Sequence, residues 1–241
     1  MQDWTNGSLI SSNDDWSGVP SIIGYRGDGL ASAGTSPATI TAPGIGTPID
    51  VLANQTNTSS STGGIAEFDQ LADPTIAFQG SGTADAPFLL FHLNSLFVDE
   101  VQVSYRLRDL DGSGDNALQS VALQYRIGET GDFINFGDAF VSDATAGPSL
   151  AGLVTPVAVT LPSIAAGVAQ LQLRILTVDA TGSDEWVGVD DIVIKGLTKQ
   201  PAASVPDDLS HAWMAASLFG VCVAARRRGR SGRAPNVQAA R

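Results

Sequence analysis

Val101-Gln-Val-Ser-Tyr-Arg-Leu-Arg108 alternates apolar and polar side chains almost without a break. Successive side chains of an extended chain point to opposite faces, so this stretch has one apolar and one polar face and reads as a half-buried antiparallel strand. Val121-Ala-Leu-Gln-Tyr-Arg-Ile127 and Gln170-Leu-Gln-Leu-Arg-Ile-Leu176 repeat the pattern. Short β-branched or alternating runs at residues 20–25, 75–78, 88–93, 98–107, 120–127, 156–161, 169–177 and 187–194 extend it along the chain. Between them stand turn sequences such as Asp111-Gly-Ser-Gly-Asp115 and Gly128-Glu-Thr-Gly-Asp132. Residues 27–66 are rich in Gly, Ser, Thr and Ala and are predicted to form long loops with one or two strands. Outside the last forty residues no segment shows a helical period. The expectation is an all-β, antiparallel, jelly-roll-like β-sandwich over residues 1–198.

Composition agrees. The 241 residues include 26 Gly and 12 Pro, 43% are hydrophobic, and only 16% are charged. That suits one sizeable core of short strands better than long surface helices laced with ion pairs. All 25 acids lie at or before Asp208, whereas six of the 13 bases lie beyond it. The chain up to Asp208 therefore carries a net charge near −18, which repels nucleic-acid phosphates and favours cations. The one cysteine, Cys222, excludes an intrachain disulfide framework and a thiolate zinc site.

Charge and hydropathy change together near the C-terminus. Residues 199–208 form a Pro/Ala linker ending in Val205-Pro206-Asp207-Asp208. Residues 209–225 carry no formal charge, and as a helix they span about 25 Å, enough for a single transmembrane helix. Arg226, Arg227, Arg228 and Arg230 follow, and such a cluster holds residues 226–241 on the cytoplasmic side with the sandwich outside. A Val-Pro-Asp motif, a short apolar helix and an Arg cluster in this order resemble the PEP-CTERM class of sorting signals. The match is to its Val-Pro-Asp-Ser-Gly variant, with Asp208 and Leu209 in place of Ser-Gly. The resemblance implies export, anchoring in the membrane, and processing at Val205, Pro206 and Asp207 by an exosortase-type enzyme. Met1-Gln-Asp-Trp is not a secretory signal, so an export signal is expected upstream of Met1.

A second resemblance rests on Asn13-Asp-Asp-Trp-Ser-Gly-Val-Pro, Gly80-Ser-Gly-Thr-Ala-Asp-Ala-Pro, Arg108-Asp-Leu-Asp-Gly-Ser-Gly-Asp-Asn-Ala and Asp184-Glu-Trp-Val-Gly-Val-Asp-Asp-Ile. These look like an accessory domain of large secreted bacterial hydrolases, nucleases among them. The likeness implies a non-catalytic jelly-roll domain.

Asp109-Leu-Asp111-Gly-Ser113-Gly-Asp115 places oxygen ligands at alternate positions of a loop. Two readings stand: a loop wrapped around Ca²⁺, which wants six to eight oxygens, or a plain Asx-type turn. The Gly spacing and the lack of a closing Glu exclude an EF-hand. Asp190, in Asp190-Asp191-Ile, is the further candidate ligand from the last strand; alternation sets Asp190 and Asp191 on opposite faces. Trp4, Trp16 and Trp186 either form a sugar-stacking platform, with Trp16 and Trp186 as the ligand-binding pair, or fill the core. His92 is expected to be a hydrogen-bonded structural residue. No nucleophile elbow, His-Glu-x-x-His helix or phosphate loop is present.

These readings converge on an exported, non-enzymatic β-sandwich with a binding or structural role in the cell envelope or extracellular matrix, with stabilisation by calcium following from one of the two readings of the Asp109 loop. Its expected partners are the membrane, an exosortase-type enzyme and extracellular polysaccharide. Two alternatives have distinct requirements: a carbohydrate-binding module needs exposed tryptophans, and a carboxylate-dependent secreted hydrolase needs two acids facing a cleft.

Overall fold

The computed structural model describes residues 1–111, 117–146 and 152–198. Asp115, the Val205-Pro206-Asp207 motif, the 209–225 span and the arginines from Arg226 onward lie outside the described residues. Ten strands are formed: β1 Ile22–Tyr25, β2 Gly64–Phe68, β3 Thr75–Gln79, β4 Phe88–Leu93, β5 Glu100–Asp109, β6 Ala122–Ile127, β7 Ile134–Asn135, β8 Val154–Thr160, β9 Leu171–Leu176 and β10 Val187–Leu197. They make two five-stranded antiparallel sheets, ordered β1-β4-β9-β6-β7 and β2-β3-β10-β5-β8. The described residues thus form an all-β two-sheet sandwich. Among the described residues the only helices are 3₁₀ turns, and none is long and apolar enough to cross a membrane.

The alternation read from β5 is the alternation found. Val101, Val103, Tyr105 and Leu107 point into the inter-sheet core and meet Leu89, Leu123 and Leu173 of the facing sheet. β4 occupies the expected span. β2 falls at the end of the stretch expected to hold one or two strands. Its place is not legible in the sequence because Gly-Ile-Ala-Glu-Phe carries apolar side chains on both faces, Ile65 on one and Ala66 and Phe68 on the other, which blurs the period-two signal. β7 is only two residues long and pairs at an edge.

A second layer covers the outer face of the first sheet. The segment after β1 turns away at Gly27, which has φ +74° and whose backbone passes so close to the Ala86 carbonyl that an added Cβ would stand 1.9 Å from it. The segment then lays Ile40 against Phe88, Leu90 and Phe133. Beneath it Arg174 of β9 is fully buried with no carboxylate partner. Its guanidinium donates to the carbonyls of Ile40 (2.6 Å), Ala42 (2.7 Å) and Pro43 (3.2 Å), and to Gln124 Oε1. Phe133 lies between this group and Arg126, with its ring centroid 4.2 Å and 4.5 Å from the two guanidinium carbons. Burial pushes the Arg174 pKa down to about 9, with the nearby Arg126 adding to the fall, so the side chain is still charged at neutral pH.

Arg174 thus pins the covering loop to the sheet. Truncating it strands two buried acceptors, the Ile40 carbonyl and Gln124 Oε1, each costing about 1–3 kcal/mol. Arg174→Ala is expected to lower unfolding free energy by at least about 2 kcal/mol, read from urea denaturation midpoints; an unchanged midpoint would refute this role.

Candidate cation site

One end of the sandwich gathers carboxylates where the core should be apolar. In the β5–β10 register Asp109 pairs with Val187, and the Leu110 N–H donates to the Trp186 carbonyl (3.1 Å) just beyond. Leu110 and Trp186 pack together on the outer face with Phe68 and Ala77. Alternation therefore turns their neighbours Asp109, Asp111 and Glu185 to the inner face, in line with Leu107 and Val187. All three are buried. Asp143 joins them from the loop after β7. That loop is held by the Ala144 N–H on the Gln119 carbonyl (2.8 Å) and by Thr145, whose hydroxyl reaches the Ala117 carbonyl (3.4 Å).

The charges in this pocket are of one sign. Burial raises the Glu185 pKa to about 7; a Thr145 hydrogen bond opposes the shift, and the charges of Asp109, Asp111 and Asp143 add to it. Burial likewise raises Asp109 to about 6, with Asp111 and Asp143 contributing. Asp109 Oδ1 and Glu185 Oε2 are buried without a hydrogen-bond partner. A buried unpaired carboxylate oxygen is costly and calls for a proton or a cation. Alongside, Asp184 accepts from the Ala180 N–H (2.8 Å) and from Gln119 Nε2, and burial raises its pKa to about 6, the neighbouring Asp179 helping.

An all-oxygen, anionic donor set of this kind suits a hard cation rather than a soft one. Among the described residues no three His, Cys, Asp or Glu side chains are already drawn into a closed metal-binding group. An ion here would complete its shell with backbone carbonyls and water, as Ca²⁺ readily does.

The structure brings Asp109 and Asp111 together and separates Asp190 from them. Between Asp190 and Val193 the β5–β10 register shifts, and Asp191 adopts φ 49°. The ladder is regular up to Asp190, opposite Arg106, so alternation from Val187 and Val189 sets Asp190 outward with the arginines of β5, and the bulge that follows turns Asp191 to the same side. Arg108 Nη1 lies 3.1 Å from Asp190 Oδ2, and Arg106 Nη1 lies 2.7 Å from Asp191 Oδ2. Asp190 is therefore an ion-pair residue of the outer face. The acids that lie beside Asp109 and Asp111 are instead Glu185 and Asp143, with Thr145 hydrogen-bonded to Glu185.

The tryptophans are core residues. Trp4, Trp16 and Trp186 are 2%, 6% and 0% exposed. Each indole N–H is satisfied internally, by the carbonyls of Val189 (2.8 Å), Asp50 (3.1 Å) and Ser60 (2.8 Å). Trp16 and Trp186 consequently offer no stacking face to a sugar. His92 pairs through Nδ1 with Gln172 Nε2 (3.1 Å), as a structural histidine would. A hydrolytic carboxylate pair needs solvent access to substrate, and the buried Asp109, Asp111 and Glu185 lack it.

No family model matches the chain, and no curated protein does. Among solved structures it is similar to a carbohydrate-binding module specific for non-crystalline cellulose, at 14% identity and a TM-score of 0.38 over 55% of this chain and 80% of that one. A carbohydrate-binding module from Paenibacillus barcinonensis matches at 14% identity and a TM-score of 0.32, over 60% of this chain and 88% of that one. A Stig cyclase from Fischerella sp. TAU matches at 12% identity and a TM-score of 0.41, over 81% of this chain and 95% of its own. Likenesses this loose define neither a family nor a ligand.

The raised carboxylates have a measurable consequence. Acids whose pKa is higher folded than unfolded hold extra protons in the folded state between the two values, so stability falls as pH rises through that window. In chelator, the melting temperature is expected to climb as pH drops from about 8 to about 5. Glu185→Gln is expected to flatten that slope and to raise the melting temperature at pH 8. Identical slopes in the two proteins would show that the cluster does not titrate.

Proposed function

We propose that this chain is an exported, non-catalytic β-sandwich with a binding or structural role in the cell envelope or extracellular matrix, closed at its acidic end by calcium. The observation that carries the reading is the buried cluster of Asp109, Asp111 and Glu185, with the half-buried Asp143 beside it, in which two buried carboxylate oxygens, Asp109 Oδ1 and Glu185 Oε2, lack partners. Buried acids hold an ion well and attack a substrate badly. Calcium sites of extracellular modules work at about 10⁻⁴–10⁻³ M, so such a site fills outside the cytoplasm and favours the folded state there.

The C-terminal sequence supports the same location. Val205-Pro206-Asp207, the apolar run after it and the arginines from Arg226 have the order of an exosortase-sorted anchor. A net charge near −18 up to Asp208 suits a surface that meets cations rather than nucleic acid. Polysaccharide is the ligand class for the binding role. A groove of about 270 Å³ beside β4 and β9, lined by Ser21, His92, Asn94, Glu129, Gln170 and Gln172, offers the mixed donors and acceptors that sugar hydroxyls require. It does not involve the buried tryptophans.

A ligand bound only by the folded state must stabilise it. At calcium a hundredfold above its dissociation constant the gain is about 2.7 kcal/mol, which for a domain of this size raises the melting temperature by roughly 5–10 °C. Melts of the full chain in calcium and in chelator are expected to differ by that amount, and Glu185→Gln is expected to lose most of the difference. Coincident melts of the wild-type chain would remove calcium from the reading.

A further inference from the structure

The end of the sandwich opposite the acids gathers exposed apolar side chains. Between β4 and β5 the chain makes a turn closed by the Val98 N–H on the Ser95 carbonyl (3.2 Å). The corner residues are Leu96 and Phe97, and Phe97 is 84% exposed. Ser95 fastens this turn to the loop before β9: its hydroxyl donates to the Ala165 carbonyl (2.7 Å) and accepts from the Val168 N–H (3.3 Å). That link brings in Ile164, which is 61% exposed. Leu197, also exposed, ends β10 on the same side, and its carbonyl accepts from the Asp99 N–H (2.8 Å). The described chain leaves the sandwich one residue later, at Thr198.

We propose that Leu96, Phe97, Ile164 and Leu197 form a membrane-contact tip that rests in the interfacial layer of a lipid bilayer. The proposal depends on the anchored reading given above. Single exposed apolar residues are ordinary, but four converging at the chain's exit point are a patch. Only residues 199–208 separate that exit from the uncharged run beginning at Leu209. Ten residues reach at most about 35 Å when fully extended, so this end of the sandwich is the one tethered nearest the lipid. Phe and Leu are side chains that settle at the boundary between headgroups and acyl chains. The flanking charges are mixed, with Asp99 and Glu100 beside Lys195, so the patch suits a zwitterionic surface better than a strongly anionic one.

The test uses the full chain reconstituted in phosphatidylcholine vesicles. Solvatochromic dye is attached at Phe97→Cys or at Ser32→Cys, each in a Cys222→Ser background. Ser32 is exposed near the acidic end, where the Gly34 N–H binds the Asp179 carbonyl (2.7 Å). The dye at position 97 is expected to shift to the blue and to be quenched severalfold more strongly by headgroup-labelled lipid than the dye at position 32. Vesicle-bound protein whose position-97 dye stays as wet as the position-32 dye would overturn the tip and leave the anchor standing. Protein that fails to float with the vesicles would overturn the anchored reading, and the tip with it.

Discussion

Like charges cannot share a dry pocket without a partner, and that constraint governs one end of this molecule. Asp109, Asp111 and Glu185 inherit the inward direction of the core strands on which they lie or which they prolong, and Asp143 closes in from a loop. A sandwich end of this kind is ordinarily stopped by apolar side chains or left open to water. Here Trp186 and Leu110 cover the outer side, and Asp109 Oδ1 and Glu185 Oε2 are left buried without a hydrogen-bond partner. Protons can neutralise the pocket at low pH and a divalent cation can do so at neutral pH, which makes the two ligands competitors for the same oxygens.

The described arginines lie elsewhere. Arg106 and Arg108 alternate outward along β5; Arg108 takes Asp190, which faces outward in the regular ladder, and Arg106 takes Asp191, which the β10 bulge turns outward. Arg126 and Arg174 are spent on the far side of the other sheet, against Phe133 and the backbone of the covering loop. Guanidinium groups therefore hold outer layers to the two sheets, and among the described residues none forms an ion pair with Asp109 or Glu185. This division follows from strand parity: odd positions of β5 carry the core and the acids, and even positions carry the arginines.

Parity is also what made much of the fold legible in the sequence. Val101–Arg108 announced its strand because one face is buried and the other is not. β6 and β9 kept the alternation although both their faces are buried, because Gln124, Arg126, Gln172 and Arg174 stand on the covered outer face. β2 did not, since apolar side chains on both of its faces blur the alternation. The site was half legible. Asp109 and Asp111 stood out by spacing, but Glu185 and Asp143 reach them only through the β5–β10 register and a loop far along the chain, and no local pattern reports either. Asp190 was misplaced because spacing alone does not say which of Asp190 and Asp191 faces inward: the regular ladder sets Asp190 outward, and the bulge after it turns Asp191 out as well, which period-two counting cannot anticipate. Trp16 and Trp186 were ambiguous from the start, for a buried indole and a sugar-stacking indole have the same letter.

The account stands or falls on whether the acidic end takes up a cation. Calcium titrated into the metal-free full chain, followed by calorimetry, tests this directly, with Glu185→Gln measured beside the wild type. The account predicts saturable uptake by the wild-type chain at millimolar or lower calcium and binding weakened ~10-fold or more in the variant. No uptake by the wild type, or equal uptake by both, would contradict it.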